Sequence, residues 1–186
     1  MQSSPALSPN GHLVYVGSDS SNVYAIRVNS GLLKWSFRTS NAVVSSPLVS
    51  AFGNGFVLFG CNDGYVYSVG ANSGSLRWSY YVGGRLFSSP TLDRHASVVY
   101  IGSDTGEVHA MAHDNGRFVW KTRLGGAVFS SPAVDVNGVV YVGSDDFNVY
   151  ALHGSNGTIL WSLKTGGKVR SSPAIGANGN IIGIFA

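Results

Sequence analysis

The sequence contains one cysteine, one glutamate and only 21 charged residues among 186. A lone thiol, Cys61, cannot close an internal disulfide, so the fold is independent of an oxidising compartment while remaining compatible with one. Charged residues make up 11% of the chain against about 25% in an average soluble domain, and no window repeats apolar residues at i, i+3, i+4 and i+7. Long helices are excluded. No run of roughly 18 apolar residues offers a membrane-spanning helix, and MQSSPALSPN shows neither the basic nor the apolar region of a secretory leader. The low charge comes with 22 aromatic residues, which excludes disorder.

What is abundant is glycine, with 25 positions, and it is placed periodically. Ser-Ser-Pro occurs five times, ending at Pro5, Pro47, Pro90, Pro132 and Pro173, at steps of 42, 43, 42 and 41 residues. The tryptophans Trp35, Trp78, Trp120 and Trp161 keep steps of 43, 42 and 41, each preceded at Gly-x-x-x-Trp by Gly31, Gly74, Gly116 and Gly157. The chain therefore divides into units 3–44, 45–87, 88–129 and 130–170 with a partial fifth, 171–186. The fourth unit shows the grammar of all. Ser-Pro-Ala-Val, Val139 to Gly143, Asn148 to Leu152 and Thr158 to Leu163 are short β-branched and aromatic runs, separated by Asn137-Gly138, Ser144-Asp145-Asp146 and Ser155-Asn156-Gly157. Four antiparallel strands at this period describe a β-propeller blade, so the fold class is all-β.

Val-Tyr-Val-Gly-Ser-Asp (14–19), Ile-Gly-Ser-Asp-Thr-Gly (101–106), Val-Tyr-Ala-Leu (149–152), Asn-Gly-x-x-x-Trp and Ser-Ser-Pro together resemble the quinoprotein-type, PQQ-like repeat. That blade is shared by pyrroloquinoline-quinone-dependent dehydrogenases and by non-enzymatic relatives such as outer-membrane assembly lipoproteins. The resemblance implies that each Gly-x-x-x-Trp element docks an outer strand onto the neighbouring blade. It also implies an Asp two residues after the Ala of the third strand, where this sequence has Arg27, Gly70, Ala112 and His153.

The remaining chemistry reads as structural. Asp19, Asn62, Asp104 and Asp145 are expected to cap their own turns. His109 and His113 lie about 13 Å apart on a strand, too far for one ion, and His109 fills the slot of Tyr24, Tyr67 and Tyr150. Cys61 replaces Ser18, Ser103 and Ser144 without a base beside it. Asn156-Gly157-Thr158 fits the glycosylation sequon, which matters only in a secreted chain. Ten of the twelve Lys and Arg residues fall between a unit's last glycine turn and the next Ser-Ser-Pro, facing the acids of the second turn, and this arrangement argues against a nucleic-acid stripe.

These readings point to a non-catalytic scaffold or binding module for protein or peptide partners, with no cofactor. The first alternative is a fragment of a quinone-dependent dehydrogenase, for which the resemblance implies calcium, a catalytic Asp, an Arg and often a cysteine pair. The second is a luminal or extracellular sensor domain of a receptor kinase. The family resemblance favours an extracytoplasmic location. Because the partial fifth unit stops inside its second strand, the chain is expected to form part of a larger propeller or one completed by self-association.

Overall fold

The structure, a computed structural model, describes residues 3–50 and 55–176. The remainder of the partial fifth unit, from 177 onward, lies outside the described residues. Among those described, every regular element is a strand. The chain separates into two compact units, Met1–Leu86 and Phe87–Ala186.

The first unit holds two blades. Strands β1 (Ala6–Leu7), β2 (Leu13–Ser18), β3 (Asn22–Arg27) and β4 (Leu33–Arg38) form one antiparallel sheet in chain order. Strands β5 (Leu48–Ser50), β6 (Phe56–Gly60), β7 (Tyr65–Gly70) and β8 (Leu76–Tyr81) form the other. The second unit repeats the plan with β9 (Thr91–Leu92), β10 (Val98–Gly102), β11 (Glu107–Ala112) and β12 (Phe118–Arg123), then β13 (Ala133–Val134), β14 (Val139–Gly143), β15 (Asn148–His153) and β16 (Ile159–Lys164). Connections this short permit only up-and-down pairing, and alternating burial in β2 (Leu13, Tyr15 inward) turns one face to the core.

Each unit has its own core. In the first, Tyr15, Val23, Ala25, Trp35, Val57, Phe59 and Val69 cluster; in the second, Tyr100, Val108, Ala110, Trp120, Val140, Val142 and Leu152 do. The equivalence is residue by residue. Every blade also carries a β-bulge at one place. Ala25 pairs with Trp35 but Ile26 with Leu33, which leaves Lys34 unpaired on β4. The same register shift skips Arg77 on β8, Val119 on β12 and Leu160 on β16.

The Ser-Ser-Pro element has a definite task. Its first serine ties the blade's entry to the second strand: Ser3, Ser88 and Ser130 Oγ accept the N–H of Gly17, Gly102 and Gly143 at 3.1 Å, and Ser45 Oγ accepts that of Gly60 at 2.8 Å. Its second serine joins one blade to the next. Ser46 Oγ accepts from Ser4 N at 2.9 Å, Ser131 Oγ from Ser89 N at 2.8 Å, and Ser172 Oγ from Ser131 N at 3.0 Å. Pro47, Pro90, Pro132 and Pro173, which follow, are all buried.

Candidate functional site

The tryptophan contacts set the geometry of the surface between blades. In the first unit Trp35 Nε1 donates to Ala71 O at 2.8 Å, and Tyr15 OH reaches the same carbonyl at 3.2 Å. The second unit repeats this with Trp120 Nε1 and Tyr100 OH on Gly154 O, at 2.6 and 3.1 Å. The ring then lies against the glycine of the next blade's motif: a Cβ at Gly74 or Gly157 would come within 2.7 Å of Trp35 or 2.5 Å of Trp120. Trp35, Trp78 and Trp120 are 9%, 8% and 5% exposed, whereas Trp161 is 43% exposed and Gly31 faces open space. Gly116, like the other three motif glycines, has a positive φ.

Beside each of these docking contacts a cleft opens at the end of the blades that carries the first and third turns. In the first unit it measures about 680 Å³ and is lined by Asn10, Tyr15, Ser50, Asn72, Ser73 and Arg77 among others. A second cleft of about 340 Å³ shares Asn10 and Asn72 as its wall and adds His12, Arg27, Asn29 and Lys34. The two adjoin as one groove. Tyr15, fully buried, lines the first of the two, and the Arg77 guanidinium that lines it too sits 3.6 Å over the ring of Phe56. The corresponding cleft of the second unit is smaller, about 270 Å³, and mixes Asp93, Arg94, His95 and His153.

Charge separates the units further. The first has five Lys and Arg against two Asp, and the second has seven against seven, so the whole net charge of +3 belongs to the first. In the second unit the expected neutralisation occurs. Arg170 grips Asp145 through two bonds of 2.9 and 2.7 Å with Lys168 at 3.3 Å, and Glu107 meets Lys121 at 3.0 Å. Arg170 leads in holding the Asp145 carboxyl below its usual range. In the first unit Arg27, Lys34 and Arg77 have no carboxylate partner among the described residues. Lys34 and Arg77 occupy the bulge position, where the second unit has Val119 and Leu160.

In the second and fourth blades the capping acid stands one residue later than the sequence expectation. Asp146, not Asp145, caps its turn, accepting from Asn148 N at 3.0 Å and from Tyr150 OH at 2.7 Å. In the second blade Asp63, not Asn62, accepts from Tyr65 N at 3.1 Å. The later residue also reaches the crossing loop, Asp146 accepting from Gly125 N at 2.9 Å and Asp63 from Ser40 N at 3.2 Å, while Asp145 faces Arg170 and Lys168. His109 is buried and lies 3.1 Å from Glu107, and burial lowers its pKa more than Glu107 raises it. Cys61 is fully buried with its thiol pushed up to about 11 by burial, so it is no nucleophile. Calcium with a quinone would need converging oxygen ligands. Among the described residues no three His, Cys, Asp or Glu side chains come together, and Asp145 and Asp146 serve different partners, so these residues do not fit that group. Among them, too, no helix is long and apolar enough to cross a membrane.

With this geometry in hand, comparison with known proteins is direct. A family model described as outer membrane protein assembly factor BamB matches residues 2–96 and 62–183. No curated protein sequence matches the chain. Among solved structures, the crystal structure of BamB from Moraxella catarrhalis superposes with a TM-score of 0.79 at 20% identity, over 92% of this chain and 55% of that one. The likeness concerns the fold, and the chain spans little over half the length of that relative.

Proposed function

The chain belongs to the family of the outer membrane protein assembly factor BamB, and from that membership we propose that it is a non-catalytic propeller scaffold. It binds protein or peptide partners in an extracytoplasmic compartment during assembly of outer membrane proteins. The family match over almost the whole chain carries this reading. Two structural facts support it. Among the described residues no three His, Cys, Asp or Glu side chains gather as a metal site would require, and the 680 Å³ cleft of the first unit presents amides, hydroxyls and a cation, the groups that recognise a peptide.

The test is deletion of the gene, followed by measurement of the folded fraction of resident outer membrane β-barrels by their heat-modifiable migration. A reduced folded fraction, restored by the plasmid-borne gene, is expected. An unchanged fraction overturns the reading.

A further inference from the structure

We infer that the groove of the first unit binds an acidic, extended segment of a partner protein, a conclusion that rests on the scaffold reading above. Four observations converge. Its three cations, Arg27, Lys34 and Arg77, line the two adjoining clefts, and no carboxylate lines either. They are also departures from the repeat: Lys34 and Arg77 stand where the second unit has Val119 and Leu160, and Arg27 where it has Ala112 and His153. A requirement of blade packing would recur in every blade. These do not.

The β-bulge supplies the aim. An unpaired bulge residue leaves the ladder and turns its side chain away from the sheet's alternation, a device found beside binding sites. Here it presents Lys34 and Arg77 from two successive blades. Arg77 is held flat by the Phe56 ring, so its fork is positioned before a ligand arrives.

Between the cations lie Asn72 and Asn29, whose side-chain amides have no partner among the described residues. An amide presents both donor and acceptor, the pair that an extended peptide backbone matches, while carboxylate side chains meet the cations. A nucleic acid fits less well. The one ring among the groove's described lining residues, Tyr15, is buried, and the nearby Phe56 is covered by Arg77, so these residues leave no open aromatic face on which a base can stack.

The probe is a fluorescein-labelled decapeptide of alternating Asp and Ser, with the Asn and Ser decapeptide and a ten-base oligothymidine as comparisons, read by anisotropy on the full chain. Binding of the acidic peptide is expected, with loss of about tenfold in affinity for the triple variant Arg27→Gln, Lys34→Gln, Arg77→Gln and a similar loss between about 50 and 300 mM salt. The single reversal Lys34→Glu, at an exposed site, gives the same direction should the triple variant unfold. Equal binding by the variants, equal binding of the neutral peptide or tighter binding of the oligothymidine overturns the inference. Should the triple variant fully restore barrel assembly in the deletion strain, the groove is refuted while the scaffold reading stands. Should deletion itself change nothing, it is the scaffold reading that falls.

Discussion

The indole of Trp120 rests on Gly157, a residue of the next blade, so closely that a Cβ there would lie 2.5 Å from the ring. Trp35 and Gly74 repeat the relationship in the first unit. Within each unit, the glycine of the second blade's Gly-x-x-x-Trp element thus receives the tryptophan of the first blade's.

Gly74 and Gly31 share nearly the same φ, +69 and +68°, but only Gly74 faces a ring. Gly31→Ala is expected to cost about 1 kcal/mol from the backbone alone, and Gly74→Ala clearly more because Trp35 must also move. Trp35→Ala should cost about 3–5 kcal/mol by leaving a cavity. Urea unfolding of the three variants checks the order, and equal losses at the two glycines would contradict the contact.

Ser130→Ala removes the one side chain that, among the described residues, accepts the buried N–H of Gly143. An unpaired buried donor costs about 1–3 kcal/mol, so unfolding should shift to lower urea, with faster hydrogen exchange at Gly143. Ser172→Ala touches an exposed joint and should change stability by less than about 1 kcal/mol.

His109 has a folded pKa below its ordinary value of 6.5, with Glu107 and Lys121 beside it. A depressed histidine pKa means that the unfolded chain takes up a proton the folded chain refuses. Its contribution is therefore undiminished above about pH 6.5 and erodes as pH falls below that toward the folded pKa. His109→Tyr, the residue of the equivalent positions Tyr24, Tyr67 and Tyr150, should flatten the fall in melting temperature between about pH 7 and 5.5. An identical slope in the variant would show that other groups set it.

Trp161 at 43% exposure contrasts with 5% to 9% for the other three. Acrylamide should quench one class of tryptophan emission readily and leave the rest, and Trp161→Phe should abolish the accessible class. Uniform quenching would mean that the other rings are open as well.

The blades were legible because their markers are spaced in sequence as they are in space: Ser-Ser-Pro at each entry and tryptophan on each outer strand. The capping acids of the second and fourth blades were legible in kind but not in place. In Asp145-Asp146 both side chains can serve a turn, and only the position of Arg170 and Lys168 on the crossing loop decides that Asp145 faces them. The groove was not legible. Arg27, Lys34 and Arg77 are far apart in the chain and come to one groove only through the bulges and the packing of Asn72 against the first blade. The one signal available was Arg27 in a slot where the resembled repeat has an acid.

The serine joints have a polarity. Ser131 gives its N–H forward to Ser172 and takes the N–H of Ser89 behind it, so a single residue is head to one neighbour and tail to the other. Links of this kind behave like monomers in a directional polymer. A joint is blind to how many came before it, and a unit copied whole arrives with both of its ends already matched. Duplication or loss of a repeat then needs no compensating change at the seam, whereas reversing one would leave two donors facing each other.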